Sequence, residues 1–473
     1  MSEILFSKEL NSYETPIEGL TVYDIPVHGD ERGWFKENWQ REKMNSIGLP
    51  DFGPVQNNIS FNTERGVTRG LHAEPWDKYI SIGSGSVFGA WCDLREGSET
   101  YGEVFTVELD PSKAIFVPRG VANGFQTLED NTVYTYLVND HWSPDAQYSN
   151  VSIMDDSLNL KWPIPLDEAI ISEKDKNHPN LTEATPIKPK KILITGANGQ
   201  LGQALQKLYP EADCTDRDTL DISDEAAALD ARRWRDYELI INAAAYTAVD
   251  NSETADGRID TWKANAIAVS NLAKIAIRYG ITLVHVSSDY VFDGTKTEHT
   301  EDELFSPLSV YGESKAAGDI AASMVPNHYI ARTSWVVGRG NNFVKVMKNL
   351  SDRKIKPNVV NDQIGRLTFT DDLAAGIKHL IDSKAKAGTY NLSNDGDPVS
   401  WCDIAKIVYE LNGSDTNDVT GVTTDEYYSG KDNVAPRPLQ STLSLEKIKS
   451  TGFQPRDWRE ALSEYWKELE KED

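Results

Sequence analysis

The spacing of hydrophobic residues changes near residues 178–190, and this change constrains the fold more than any other feature. From about Thr21 to Trp162, short runs rich in Val, Ile, Phe, Tyr and Trp are separated by Gly, Asp, Asn and Ser. Such runs predict a β-sandwich or barrel. From Ile192 onward, apolar strands alternate with helical patterns. This alternation predicts βαβ units in a doubly wound parallel sheet.

A proline-rich segment separates the two patterns. NHPNLTEATPIKPKK carries three prolines and few apolar residues, so it is interpreted as a linker or a tethered strap. We predict a first domain over residues 1–180, a linker over 181–190 and a second domain over 191–473. Within the second domain, residues 191–335 are expected to bind a cofactor, and residues 336–473 to form most of a small substrate subdomain.

Charge and composition exclude several classes of function. The formal net charge of −26 disfavours nucleic acid or an anionic membrane surface as a partner. The start, MSEILFSKEL, lacks the features of a signal peptide, and no apolar stretch has the roughly 20 residues that a membrane span requires. The three cysteines form no Cys-x-x-Cys pair. A cytoplasmic location is therefore expected.

A glycine-rich turn follows the first strand of the second domain. KILIT leads directly into GANGQLG, with Gly196, Gly199 and Gly202 placed for a tight turn, a close approach to pyrophosphate and helix packing. Asp216 lies twenty residues past Gly196, where a carboxylate holds the adenosine ribose of NAD. Its neighbour Arg217 would suit the 2′-phosphate of NADP instead, so the residues leave NADH and NADPH both open.

A tyrosine and a lysine lie one helical turn apart farther along. Tyr311 and Lys315 share a helix face, and a nearby cation stabilises a phenolate and makes its proton usable. SSDY at 287–290 ends the preceding strand, at the edge where open α/β sheets bind ligands. A hydroxyl, a phenol and an ammonium are thus expected around one carbonyl oxygen.

This half resembles the extended short-chain dehydrogenase/reductases, and within them the dTDP-4-dehydrorhamnose reductases, which implies a Rossmann-type fold. The matching strings are GANGQLG (196–202), LDISD (220–224), INAAAYTAVDNSE (241–253), SSDYVFDG (287–294), SPLSVYGESKAAGD (306–319), RTSWVVGRGNNFV (332–344) and NDQIGRLTFTDDLA (361–374). The resemblance makes Ser288, Tyr311 and Lys315 catalytic and places Ser288, Asp289 and Trp335 against substrate. The cofactor residues that it implies are Gly196, Asn198, Gly199, Gln200, Leu201, Gly202, Asp216, Asp221, Ile222, Ala243, Ala244, Ala245, Tyr311 and Lys315. One departure is Leu367, where the family usually has proline.

Histidines are too sparse in the first half to suggest a metal. The chain has eight, no His-x-His is present, and His72 has no histidine near it in sequence, so we expect no metal site. On the residues alone, a structural histidine is the better interpretation of His72.

The resemblance of this half changes that interpretation. GDERGWFKENW (29–39), VQNNIS (55–60), GVTRGLH (66–72), VFGAWCDLREGSETYGE (87–103), FVPRGVANGFQTL (116–128) and ISEKD (171–175) are similar to the dTDP-4-dehydrorhamnose 3,5-epimerases, which have a cupin-like jelly roll. The resemblance implies His72 as base, Asp175 as its orienting partner, Lys78 at the enolate oxygen and Tyr136 as proton donor. The substrate-binding residues that it implies are Arg32, Glu37, Gln56, Asn58, Arg69, Asn123 and Trp142.

The first half departs from that family in two places. Asn123 replaces a second active-site histidine, and the segment AEPWDKY after His72 is shorter and lacks an aromatic-Gln pair. These departures bear on how many carbons are epimerised.

Together the resemblances imply a fusion that makes dTDP-L-rhamnose by epimerising C3 and C5 and then reducing C4. Tethering would raise the local supply of the intermediate. The implied partners are a dTDP-sugar substrate, NADPH or NADH for the second half, and a second copy paired through the jelly roll. Two alternatives stay open: a related dTDP-deoxysugar enzyme, or a non-catalytic regulatory module like the reductase-like subunit of methionine adenosyltransferase.

Overall fold

The computed structural model describes residues 8–472. The chain divides into two compact units, Met1–Pro189 and Lys190–Asp473. Within the described residues, no helix combines the length and the apolarity needed to cross a membrane.

The first unit is built from two antiparallel sheets. Its strands are β1 (Asn11–Glu14), β2 (Thr21–Asp24), β3 (His28–Asp30), β4 (Gly33–Phe35), β5 (Gln56–Asn62), β6 (Val67–Ala73), β7 (Lys78–Ser84), β8 (Val87–Asp93), β9 (Val104–Leu109), β10 (Lys113–Val117), β11 (Val121–Thr127), β12 (Thr132–Val138), β13 (Ser149–Asn150) and β14 (Ile170–Ile171). One sheet has the order β1-β2-β10-β7-β12-β5 and the other β13-β6-β11-β8-β9, with β14 added in parallel to β6. Two short helices, α1 (Arg41–Ser46) and α2 (Glu173–Lys176), accompany them.

The core of this unit lies between the two sheets. Ile80 on β7 and Trp91 on β8 belong to different sheets, yet both are fully buried in one cluster. The apolar residues that alternate along these strands face inward and meet there. Because β6 and β12 contribute to different sheets, side chains from both sheets can reach the cleft described below.

Residues 181–189, predicted as linker, lie within the first unit. Ala184 and Ile187 are buried against Leu94, and the Ile187 N–H donates to the Leu94 carbonyl at 2.7 Å. This segment therefore packs against the first unit as a strap, because its few apolar side chains are buried in the core. The second unit begins at Lys190.

The second unit contains a six-stranded parallel sheet in the order β16-β15-β17-β18-β19-β24. Its strands are β15 (Lys191–Thr195), β16 (Asp213–Thr215), β17 (Tyr237–Asn242), β18 (Thr282–Ser288), β19 (His328–Thr333), β20 (Val336–Val337), β21 (Asn358–Val360), β22 (Ile364–Gly365), β23 (Thr368–Phe369), β24 (Gly388–Asn391), β25 (Val399–Ser400) and β26 (Thr420–Val422). Its helices are α3 (Gln200–Leu208), α4 (Glu225–Asp230), α5 (Ala255–Trp262), α6 (Ala268–Tyr279), α7 (Val310–Ser323), α8 (Phe343–Asp352), α9 (Thr370–Asp382), α10 (Trp401–Leu411), α11 (Thr424–Tyr428), α12 (Glu446–Ser450) and α13 (Trp458–Glu472). A π-helical turn over Lys263–Ile267 joins α5 to α6.

Helices cover this sheet on both faces. Leu193 and Ile194 are neighbours on β15 and are buried in two different clusters. Adjacent strand residues point to opposite faces, so both faces are packed. The chain runs from β15 to β16 on one side and then returns to β17 on the other. Ligands of open α/β sheets bind at the carboxyl edge beside such a reversal.

Most of residues 336–473 pack around a third cluster that includes Val344, Ile404 and Trp458. Part of this range returns to the main sheet, however. Strand β24 pairs with β19, and Leu373 and Ile377 of α9 pack with residues of α3. The fold therefore does not divide strictly at residue 335, because part of residues 336–473 packs with the predicted cofactor-binding part.

Candidate active sites

A cleft in the first unit gathers residues from β5, β6 and β12. Of the residues predicted for this half, those that line it are Gln56, Asn58, His72, Tyr136 and Trp142. Trp142 is 72% exposed, so a wide aromatic surface stands open beside the cleft. Exposed aromatic faces of this kind suit stacking on a planar base.

His72 is paired with Asp175 across 103 residues of sequence. His72 Nε2 lies 3.0 Å from Asp175 Oδ1, and the Gly70 N–H donates to Asp175 Oδ2 at 3.3 Å. Burial alone would raise the pKa of Asp175, but the hydrogen bond and charge of His72, with the Gly70 N–H, hold this pKa below its usual value. The carboxylate therefore stays ionised and fixes the imidazole with Nε2 as hydrogen-bond donor and Nδ1 free to accept a proton.

Sequence reasoning missed a second histidine beside this pair. His178 Nε2 lies 3.6 Å from Asp175 Oδ1, and its ring packs edge-on against His72 at 5.3 Å between centroids. Burial, followed by the charge of His72, lowers the pKa of His178. His178 lies three residues after Asp175 in the sequence. This spacing points to the site only when α2 is known to pack against β6.

Lys78 is buried among polar partners and lies beside Tyr136 of the same cleft. Its Nζ donates to Asn123 Oδ1 at 2.6 Å, lies 2.6 Å from Glu74 Oε2, and sits 5.4 Å from the centroid of the Tyr136 ring. Burial and the nearby Glu74 raise the pKa of Tyr136, so its phenol stays protonated at neutral pH. Asn123 faces His72 across β11 and β6 and accepts from Lys78, so the amide secures the cation.

A separate cleft in the second unit lies at the reversal of the parallel sheet. The predicted cofactor residues that line it are Gly196, Asp216, Asp221, Ile222, Ala244 and Ala245. Helix α3 begins after Gly199, which provides no side-chain cap, so the first N–H groups of the helix remain available to an anion. A Cβ on Gly196 would come within 2.6 Å of the Ala244 backbone, which explains why glycine stands there.

Asp216 follows β16 at the rim of this cleft. It accepts from the Asn198 amide, and its Oδ1 accepts the backbone N–H groups of Asp218 and Thr219 at 3.1 Å. Arg217 lines the same cleft. Asp216, which suits NADH, and Arg217, which suits NADPH, therefore both lie at the cleft, and both cofactors remain open.

Ser288, the last residue of β18, lies next to the part of α7 that carries Tyr311 and Lys315. Burial raises the pKa of Tyr311 to about 12, and the Ser288 hydroxyl acts in the opposite direction. The Lys315 ammonium donates to the Val286 carbonyl at 2.6 Å, and burial, rather than this cation, dominates the pKa of Tyr311. Burial lowers the pKa of Lys315 to about 8, while Asp319 one turn along α7 opposes this effect.

An aromatic cleft adjoins this group. Trp335 stacks on Trp401 with 3.8 Å between ring centroids, and both line the cleft together with Tyr290. The Tyr290 ring contacts the Tyr311 ring edge-on at 5.3 Å. Trp335 has φ +46°, a strained conformation for a bulky residue, and such strain clusters at ligand sites. Asp289, the other predicted substrate contact, is buried, and burial raises its pKa to about 6.

Two family models match the chain, one for each unit. Residues 190–471 match the model described as RmlD substrate binding domain, which covers more than half of the chain. Residues 14–183 match the model described as dTDP-4-dehydrorhamnose 3,5-epimerase. The chain belongs to both families.

Individual relatives divide in the same way. The epimerase unit is similar to the protein RmlC homolog of Streptococcus pyogenes, with 53% identity over 41% of this chain and 100% of that protein. The reductase unit is similar to the crystal structure of a dTDP-4-dehydrorhamnose reductase from Clostridium acetobutylicum, with 39% identity, a TM-score of 0.55 and coverage of 59% of this chain and 99% of that chain. It is also similar to the dTDP-4-dehydrorhamnose reductase of Bacillus anthracis in complex with NADP, with 34% identity, a TM-score of 0.54 and the same coverage.

Some predicted residues of the epimerase unit do not reach its cleft. Arg32 pairs with Asp30 in the β3–β4 hairpin, where its side chain is 89% exposed. Glu37 pairs with Lys43 and lines a different hollow. Arg69 donates from Nε to Asn62 Oδ1 at 3.2 Å. Within one chain, Arg32 and Glu37 thus do not line the cleft that contains His72.

Other predicted cofactor residues of the reductase unit do not line this cleft. This set comprises Asn198, Gly199, Gln200, Leu201, Gly202, Ala243, Tyr311 and Lys315. Most of them shape the turn and the packing of α3. Leu367, the departure from the family pattern, is fully buried in the third cluster. The apolar side chain therefore takes a packing role there.

Proposed function

We propose that this chain performs two consecutive steps of dTDP-L-rhamnose formation in two separate sites. The epimerase unit inverts C3 and C5 of dTDP-4-dehydro-6-deoxyglucose, and the reductase unit then reduces the C4 ketone. The observation that carries the proposal is that each unit holds its own proton-transfer group: His72 with Asp175 in one, and Tyr311 with Ser288 in the other.

In the epimerase unit, His72 acts as the base. The C4 ketone acidifies the protons on C3 and C5, yet a positioned base and a stabilised enolate are still required. Nδ1 of His72 accepts the proton, and the imidazolium that forms is stabilised by Asp175, whose lowered pKa keeps it ionised.

Lys78 and Tyr136 complete the exchange. The buried Lys78 ammonium stabilises negative charge on the C4 oxygen, held in place by Asn123 and Glu74. Tyr136, protonated at neutral pH because its pKa is raised, returns a proton to the carbon on the face away from His72. Abstraction on one face and delivery on the other inverts the carbon.

In the reductase unit, Tyr311 donates a proton to the C4 oxygen. NADPH or NADH, when bound, would supply the hydride to C4, and this hydride together with the proton from Tyr311 would convert the ketone to a hydroxyl. The cleft that contains Gly196, Asp216 and Arg217 fits the dinucleotide, and we expect both cofactors to serve. Ser288 orients the substrate carbonyl, and Trp335 packs against the sugar nucleotide.

We assign the two units to finer fold classes on this basis. The paired antiparallel sheets support a cupin-like jelly roll, and the parallel sheet with a reversal at β15 supports a Rossmann-type reductase of the extended short-chain class. The domain limits proposed from the sequence are refined to 1–189 and 190–473. A cytoplasmic location stays a prediction from the sequence.

We further propose that the epimerase unit pairs with a second copy through β5. This strand is at the edge of its sheet, and Ile59 and Phe61 on it are 69% and 56% exposed. Exposed apolar edge strands are pairing surfaces. A partner chain would also explain why Arg32 and Glu37, which lie away from the cleft of their own chain, match substrate-binding positions.

The pairing is tested with Phe61→Lys. We expect a halved molar mass in light scattering after gel filtration, because a charge is placed in an apolar contact. Leu304→Lys, at an 86% exposed position in the reductase unit, is the matched control and should leave the mass unchanged. An unchanged mass for Phe61→Lys would rule out this surface.

The epimerase assignment is tested with His72→Asn. We expect solvent deuterium to stop entering C3 and C5, since the base is gone, while reduction of separately epimerised substrate continues. Asp175→Asn should be milder, because the imidazole remains. Deuterium uptake by His72→Asn at the wild-type rate would make the first unit a binding domain only.

The reductase assignment is tested with Tyr311→Phe. Loss of a positioned acid should slow cofactor oxidation by about 10²–10⁴-fold. Deuterium exchange at C3 and C5 should be unchanged, because that chemistry belongs to the other unit. Near-normal reduction by this variant would show that another group delivers the proton.

A further inference from the structure

Three metal-ligating side chains come together at the base of the epimerase cleft. They are His72 on β6, Asp175 on α2 and His178 just after α2, and one ligand atom from each lies within 4.8 Å of the other two. His72 Nε2 and His178 Nε2 lie 3.0 Å and 3.6 Å from the same atom, Asp175 Oδ1. We propose that they form a site for a divalent transition-metal ion such as Zn²⁺, which switches off the epimerase when it binds.

The ligand types and separations fit such an ion. Zn²⁺ binds imidazole nitrogen and carboxylate oxygen at about 2.0–2.2 Å, in a tetrahedral arrangement that separates neighbouring ligand atoms by roughly 3.4 Å. The two separations from Asp175 Oδ1 lie on either side of that value. Two imidazoles and one carboxylate are a set that zinc sites use, with a fourth position left for water.

His178 is the observation that points to a ligand. Its side chain is only 5% exposed, and neither ring nitrogen makes a hydrogen bond of normal geometry, although the Gly70 backbone lies close enough to influence its pKa. Buried imidazoles without partners are uncommon in folded proteins. An ion between His178 and Asp175 would satisfy this ring.

The surroundings already support the carboxylate and leave one side open. Asp175 Oδ2 accepts the Gly70 N–H, so that Oδ1 is directed at the two imidazoles. Supporting hydrogen bonds of this kind orient metal ligands. His72 is 33% exposed and lines the cleft, so an ion can enter, and a water can bind it, from the substrate side.

An ion at this site disables the base. In the metal-free pair, Nε2 of His72 carries the proton that faces Asp175, and Nδ1 is free. When the ion takes the Nε2 lone pair, the neutral imidazole carries its proton on Nδ1 instead. The ring holds the same number of protons, but Nδ1, which would accept the substrate proton, already carries one. This step rests on the proposed role of His72.

The test compares the full-length protein with His178→Gln, which removes one ligand and keeps the His72–Asp175 pair. Binding is followed by the visible absorption of tetrahedral Co²⁺ and by Zn²⁺ titration calorimetry, and activity by deuterium entry at C3 and C5. In chelator we expect His178→Gln to exchange within about twofold of the original rate, and its metal affinity to fall at least 10–100-fold, as metal sites do when a supporting group is lost. His28→Gln, at an exposed histidine of the same unit, should bind metal normally.

His178→Cys provides the second variant, because cysteine restores a metal ligand. It should recover Co²⁺ binding with an altered spectrum, whereas a purely structural role for His178 would leave both variants equally impaired in stability and would overturn the proposal. Zn²⁺ that inhibits the original protein and His178→Gln at the same concentration would also overturn it. Stoichiometric binding that leaves deuterium exchange unaffected would refute the switch, whereas the assignment of His72 as base is tested separately by deuterium exchange in metal-free His72→Asn. Reduction by the other unit should be insensitive to the ion throughout.

Discussion

The pKa of Lys315 depends on the charge of a buried carboxylate, Asp319. Asp319 lies one turn along α7 and accepts from Arg332 Nε at 3.0 Å, and its other oxygen faces His285 Nε2 at 3.7 Å. Burial, followed by the charge of Lys315, lowers the pKa of His285, so this ring is neutral. Asp319 is therefore the anion that opposes the effect of burial on Lys315.

Removing this charge should change the pH dependence of reduction. With Asp319→Asn, the pKa of Lys315 should fall below its present value of about 8, because burial is then unopposed. The lysine would lose its proton at a lower pH. If the protonated lysine serves reduction, as the family resemblance implies for Lys315, the decline of kcat/KM on the alkaline side should begin earlier. If the pKa of Lys315 falls by about one, its protonated fraction on that alkaline side falls roughly tenfold, and kcat/KM falls with it.

Stability has to be followed in the same experiment. Asp319→Asn also leaves Arg332 without its carboxylate, and breaking a buried pair costs about 3–5 kcal/mol. Asp319→Glu, which keeps the charge, should restore the pH profile even if it lowers the melting temperature. An alkaline limb that stays in place in a folded Asp319→Asn protein would exclude this role for the carboxylate.

Local sequence patterns predict the strands and helices of both units well, but they predict the sites only in part. The glycine-rich turn between β15 and α3 and the Tyr311–Lys315 spacing on α7 are local, so the sequence predicts their placement. The His178 contact depends on β14 pairing with β6, which carries α2 to His72 from a hundred residues away. No local pattern encodes that contact, nor does one show that Arg32 is not part of the cleft wall.

Helix α3 offers a test of the tight packing beneath the cofactor cleft. A Cβ on Gly202 would come within 2.2 Å of the Gly196 carbonyl oxygen and 2.7 Å of the Ala197 backbone. Alanine normally favours a helix over glycine by about 1 kcal/mol. Here we expect Gly202→Ala to destabilise the reductase unit by about 1–3 kcal/mol, since backbone must shift, and to weaken cofactor binding.

The measurement is thermal unfolding combined with the fluorescence of bound NADPH. Lys207→Ala on the same helix removes only an exposed pair with Asp371, so it should cost about 0–1 kcal/mol and leave cofactor affinity alone. A Gly202→Ala protein that is more stable than the original would show that α3 can move away from the turn without loss.

At the scale of the whole molecule, each unit holds a cleft lined by residues of that unit alone. Two single variants should therefore complement each other in solution. His72→Asn retains the reductase site and Tyr311→Phe retains the epimerase site, so each alone should fail to convert the 4-keto substrate to dTDP-L-rhamnose. An equimolar mixture should recover cofactor oxidation, because the epimerised ketone released by one chain reaches the reductase site of another.

The size of the recovery reports what the fusion contributes. Tethering raises the local concentration of the intermediate, and this advantage disappears when the two active sites are on different chains. We expect the mixture to be slower than the original protein at low enzyme concentration and to approach half its rate per chain as concentration rises. Progress curves of NADPH oxidation at several concentrations measure this, with each variant alone and the double variant as controls. A mixture that stays inactive at every concentration, although each variant keeps its remaining activity, would mean that the intermediate is never released.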